Sequence, residues 1–178
     1  MKRSAILKAA ITARRAGKPA EEVYKIYQGQ VRPDSALAMA IASVADPERK
    51  RRYAILNHLL VALLVFVAVI KALSVFAMFS DFSAGLLAGA VVLGVIVPLA
   101  FAFGIARFDG RVYTVLLFLL LLNALNILLR AEGNWLSVLP DLVLLAAIIA
   151  LAFVAKAKIF PNVGPLGVKR SADGSYIW

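Results

Sequence analysis

The chain has 178 residues, 62% of them hydrophobic, and a formal net charge of +10. Soluble domains are only about 45–50% apolar, so the composition excludes an ordinary soluble protein and predicts an integral membrane protein. The cations flank the apolar runs, which points to membrane orientation rather than nucleic acid, and the absence of cysteine excludes disulfides and thiolate metal sites.

Residues 1–16 carry no targeting peptide in this reading, because Lys8 interrupts their only apolar stretch and Arg14 and Arg15 follow it. Residues 1–45 read instead as a helical cytoplasmic arm. Ser4 to Arg15 predicts one helix. Pro19 opens a second through Gln28, with Glu21 and Glu22 in its first turn where negative charge suits the helix dipole. Asp34 caps a third through Val44. In DPERKRRY, Asp46 is the N-cap, Pro47 the first helical residue and Glu48 the next, and the helix is expected to run on into the first apolar run.

Crossing a hydrocarbon core of ~30 Å takes roughly 20 apolar residues. Four runs qualify within residues 46–155: 54–79, 82–106, 112–129 and 136–155. The links between them are short, which makes successive helices antiparallel neighbours and predicts an all-α, four-helix transmembrane bundle. Residues 1–53 hold twelve Lys and Arg, the middle link has Arg107 and Arg111, and residues 156–178 add four, whereas the opposite side has only Arg130. Cations near membrane segments stay in the cytoplasm, so both termini are expected there, in the inner membrane. Phe79, Phe82 and Trp135 suit the outer interface. Arg49, Lys50, Arg51 and Arg52 at the mouth of the first span read as an anchor on anionic headgroups.

The run LLFLLLLNALNILLR places Asn123, Asn126 and Arg130 on one helical stripe. Lys71 in the first run and Asp141 in the fourth lie about 7 to 12 Å inside the outer surface, in the same layer as the asparagines. A charge at that depth costs about 3 kcal/mol, so Lys71 and Asp141 are expected to be near neighbours, directly or through an amide. The competing expectation is that Lys71 snorkels outward and Asp141 caps a late helix start. Asn57, fourteen residues before Lys71, falls on the same helical face, and His58 reads as a wetted end residue. Gly85 and Gly89 form a small-xxx-small pair for close helix packing, while Gly94 and Pro98 mark a kink. The tail, residues 156–178, is rich in Pro and Gly and reads as irregular, its Tyr176, Ile177 and Trp178 packing on the arm, the bilayer interface or a partner.

No nucleophile with a base, paired carboxylates, phosphate loop or metal constellation is present in the sequence, so neither enzyme activity nor a cofactor is expected. Two functions fit. One is a membrane protein acting through protein–protein contacts, such as immunity against a membrane-acting toxin or a component of a defence or secretion system, with a protein partner or homo-oligomer. The other is a small transporter or channel subunit with an outer polar pocket.

Overall fold

The computed structural model describes residues 3–77, 84–130, 135–164 and 167–178. Phe79, Phe82 and the distal links lie outside the described residues, as does the side chain of Arg130. Among the described residues all regular structure is helical: α1 (Arg3–Arg15), α2 (Ala20–Tyr27), α3 (Asp34–Ala42), α4 (Pro47–Arg52), α5 (Ala54–Ala77), α6 (Ala84–Val91), a π-helical turn (Val92–Ile96), α7 (Val97–Ala106), α8 (Gly110–Arg130) and α9 (Trp135–Ile159). Four stretches are long and apolar enough to cross a membrane: Ala54–Ala77, Gly85–Ala106, Gly110–Leu129 and Val138–Ile159.

The caps follow the sequence in part. Asp46 caps α4, its carboxylate accepting from the Glu48 amide at 3.0 Å, with Pro47 at the first helical position. Asp34, in contrast, is the first residue of α3 rather than its cap, which falls on Pro33, and α3 stops at Ala42. The expected continuous helix from Asp46 is also broken, because Tyr53 leaves helical dihedrals (φ −110°, ψ 17°) between α4 and α5. The half-buried Tyr53 side chain packs against the bundle core there.

The helix α5 packs on both α7 and α9, α9 on α8, and α7 on α8, so that α5 and α8 face each other across the diagonal. Periodicity explains which faces turn inward. Along α8 the covered stripe is Tyr113, Leu116, Leu117, Leu120, Ala124 and Ile127, at helical spacing. The second apolar helix is interrupted at the kink the sequence marks. Pro98 has no amide to donate to the Gly94 carbonyl, and the chain widens into a π turn in which the Val97 amide reaches the Val92 carbonyl.

The core is concentrated toward the end of the bundle that carries the arm. Leu60, Leu64, Ile105, Leu116, Ile148 and Ala152 are buried together there. Two glycines let backbones approach at this end. A Cβ on Gly104 would come within 2.7 Å of Val112 Cγ2, and one on Gly110 within 2.9 Å of the Phe160 ring. The link between α7 and α8 is tight enough to hold Phe108 at φ 55°, a left-handed conformation that costs a non-glycine residue about 1 kcal/mol or more. Burial of that ring and the Lys50 ammonium 5.1 Å from its centroid oppose the cost.

The arm is docked rather than loose. Its helices share a small core of Ile6, Ala10, Val23, Val31, Leu37 and Ile41. Met39, Ala42 and Ala45 pack onto the bundle core, and the Gly110 amide donates to the Ser43 carbonyl at 3.0 Å. The tail returns to the same end, with Trp178 against the arm's core.

Candidate functional site

The groups singled out at the distal end, away from the arm, divide into two sets. Lys71 continues the inward stripe of α5, which runs Asn57, Leu60, Leu64 and Ala68, and Asp141 continues that of α9, which runs Leu145, Ile148, Ala152 and Ala155. By position both belong to the faces that form the core, yet both are exposed. Lys71 has its stem against the π turn, where a Cβ on Gly94 would lie 3.3 Å from Lys71 Cβ. No ion pair joins Lys71 to Asp141 among the described residues. At these two positions the inward stripes are exposed, whereas toward the arm they are buried. Asn123 and Asn126 form the second set: both are exposed, Asn123 at the border of the inward stripe of α8 and Asn126 well off it.

The packing expected at Gly85 and Gly89 is not made among the described residues: a Cβ at either position would meet nothing within 4 Å of them. Close approach occurs instead at Gly94, Gly104 and Gly110, where neighbouring helices or the tail actually cross. His58 is exposed at the arm end, as its place near the start of α5 suggests.

The arm half is closed by a polar bridge. Asn57 is fully buried; its amide donates to the Ile105 carbonyl at 3.1 Å, and the Tyr113 hydroxyl donates to its Oδ1. Three of the four apolar helices are tied by these bonds, and every polar atom is used productively in an apolar surrounding. The sequence placed Asn57 on a polar face but gave no partner for it. Tyr113 was the available signal, as the tyrosine in the third apolar run.

A cleft of about 320 Å³ lies between the arm and the feet of α4 and α9. Its charged lining is Arg14, Arg49, Glu21 and Asp46, and Trp178 and Phe160 contribute aromatic walls. Arg49 is one of the four exposed cations of the basic helix. Arg14 is covered, with 9% of its side chain exposed; Nη1 donates to the Lys18 carbonyl at 2.7 Å and Nη2 is 3.7 Å from Asp46 Oδ2. Its Nε has no partner among the described residues. Ile6, Ala10 and Arg14, repeating every four residues, put this arginine on the buried stripe of α1.

Beside the cleft, Tyr24, Tyr176 and Trp178 form an aromatic cluster with centroids 5.1 to 5.8 Å apart, and Arg170 stacks on Tyr176 at 4.9 Å. Burial, and next the charge of Asp34, push the Tyr24 phenol up. The cluster fixes the tail on the arm, one of the three places open to the apolar C-terminal residues. Glu21 Oε1 is 2.8 Å from Lys25 Nζ, and that lysine holds the Glu21 carboxyl below its ordinary range.

No protein-family model, curated protein or solved structure matches the chain.

Proposed function

We propose that the chain is a non-enzymatic, multi-pass protein of the inner membrane that acts through contacts with other protein chains, with both termini in the cytoplasm. The observation that carries the proposal is the contrast between the two halves of the bundle. The arm half is filled by apolar side chains and sealed by the Asn57–Tyr113 bridge, whereas Lys71 and Asp141 stand uncovered on core-facing stripes of α5 and α9. A solute path through a single chain would need polar groups continuing through the arm half. An exposed cation and an exposed carboxylate on core-facing stripes suit a second protein's membrane helix, which would bury both charges and relieve a cost of about 3 kcal/mol each. The exposed amides of Asn123 and Asn126 offer a further line of contact. The one-sided distribution of Lys and Arg supports the orientation. Immunity against a membrane-acting toxin, or membership of a defence or secretion assembly, fits such a contact surface.

A photo-crosslinking residue tests this in cells. Placed at Val75, one turn beyond Lys71 on the inward stripe, it should give a discrete protein adduct that disappears in the Lys71→Met, Asp141→Leu background. Placed at Val69, which is exposed on another face of α5, it should give none. The absence of any adduct at Val75, with substrate-selective flux through the reconstituted protein, would replace this reading by the transporter.

A further inference from the structure

We propose that α8 forms the seam of a homodimer in the membrane, in which a second copy of this chain lies alongside it in parallel and the Asn126 amides of the two copies hydrogen-bond to each other. The proposal rests on the reading of the chain as a multi-pass membrane protein, and not on the partner at Lys71 and Asp141.

The seam is visible as a spacing. Val115, Leu119, Leu122, Asn126 and Leu129 follow one another at alternating intervals of four and three residues, the pattern that keeps one row of side chains turned toward a neighbouring helix. All five are exposed. Within the chain α8 packs on α9 and on α7, the latter near its start where Val112 meets Gly104, and this row stays uncovered among the described residues.

The amides single out this row among the exposed faces of α8. Phe118, Leu121, Leu125 and Leu128 form the other exposed face, which has no polar side-chain atom and suits lipid chains. Both distal asparagines fall on the side of the row, Asn126 within it and Asn123 on its flank, next to the inward stripe. At 1.5 Å per residue they lie about 5 and 9 Å inside Leu129, the last residue of the third apolar stretch. An exposed amide at that depth meets hydrocarbon where it needs donors and acceptors, and another helix supplies them.

Self-complementarity selects the partner. An amide donates and accepts through the same group, so it pairs with its own copy, which neither a lysine nor an aspartate does. Two copies inserted by the same signals share one orientation, so their α8 helices run parallel with Asn126 at equal depth. A two-fold axis along the membrane normal then sets each residue of the row against itself, and a single asparagine in such a seam fixes its register and the number of strands. A partner of another sequence would have to present a matching amide at that depth, whereas a second copy always does.

The absence of cysteine allows a direct test with the full chain. Leu122→Cys and Leu129→Cys place a thiol in the row, and Leu121→Cys and Leu128→Cys place one at nearly the same depths on the other exposed face. The purified proteins are reconstituted in vesicles of phosphatidylethanolamine and phosphatidylglycerol and oxidised with copper phenanthroline. The two row positions should give a disulfide-linked dimer and the other two little. In the Leu122→Cys background, Asn126→Leu should require about tenfold more protein per lipid to reach the same cross-linked fraction, and Asn126→Gln, which keeps an amide in the row, should recover most of that loss. Leucine favours insertion, so the weakened association would not reflect a helix that leaves the membrane. No cross-link at the row positions, equal cross-linking on both faces, or no effect of Asn126→Leu would each overturn the proposal. Protein that fails to float with the vesicles would sink the membrane reading with it, whereas protein that floats without this pattern sinks the dimer alone.

Discussion

The Tyr113 hydroxyl donates to Asn57 Oδ1 across the diagonal of the bundle, joining α8 to α5, while the Asn57 amide donates to the last turn of α7. Asn57→Leu removes both bonds and leaves the phenol buried without an acceptor, which costs about 1–3 kcal/mol. Tyr113→Phe also orphans one buried atom, Asn57 Oδ1, but keeps the Asn57 bond to Ile105, so its cost should fall at the low end of that range, about 1 kcal/mol. The double variant should be more stable than the sum of the singles predicts, by about 0.5–2 kcal/mol. Unfolding of purified protein in mixed micelles measures all three; strict additivity would show that the two side chains do not act together.

Glycine positions give a prediction with an internal control. Gly104→Ala drives a methyl into Val112, and overpacking of this kind costs about 1–3 kcal/mol. Val112→Ala removes the two carbons it would strike and should restore most of the loss. Gly85→Ala and Gly89→Ala meet open space and should leave the melting temperature of the monomeric protein unchanged. A loss at Gly89 equal to that at Gly104 would place the close helix crossing in the wrong half of the bundle.

These positions also show what the sequence could and could not reveal. Hydropathy and length identify the four apolar helices, because the bilayer thickness imposes a length that few other constraints demand. Local chemistry identifies the Asp46 cap and the Pro98 interruption, since each depends on residues a few positions apart. Contacts between distant segments are different. Gly85–Gly89 and Gly94 are equally plausible packing sites in one dimension, and only the crossing of α5 at the π turn selects Gly94. Lys71 and Asp141 share helix faces with the core, as their spacing implies, but how far the distal half closes depends on all four helices. Arg14 was legible as a position on the α1 stripe, while its neighbours Asp46 and Trp178 come from parts of the chain far away.

For Lys71 and Asp141 the structure changes the expected genetics. An ion pair between them would make Lys71→Met more harmful alone than with Asp141→Leu, because the single change strands a carboxylate. Both groups are exposed, and no ion pair joins them. The effects on stability of the isolated protein should therefore add to within about 0.5 kcal/mol. Thermal unfolding of the two single variants and the double variant decides the matter, and rescue of Lys71→Met by Asp141→Leu would establish a direct pair.

The arm supplies the last prediction. Deleting residues 2–45 leaves Asp46, the RKRR helix and all four apolar helices, so the signals for insertion and orientation survive. It does not leave the bundle untouched. Met39, Ala42 and Ala45 are lost from the core that includes Phe160 and Val163, and the Gly110 amide loses the Ser43 carbonyl as its acceptor. Each orphaned amide at a newly exposed surface can turn to water, whereas the apolar contacts are lost outright at about 25 cal/mol per Å² of surface uncovered. The truncated chain should thus remain in the membrane fraction but melt several degrees below the full chain, with protease access to the link between α7 and α8 increased. Deleting only residues 2–17 removes α1 and Arg14 while sparing α3, and should open the cleft yet lower the melting temperature less. If both truncations melt like the full chain, the arm contributes nothing to the bundle, and the contacts through Met39 and Ser43 have no energetic weight.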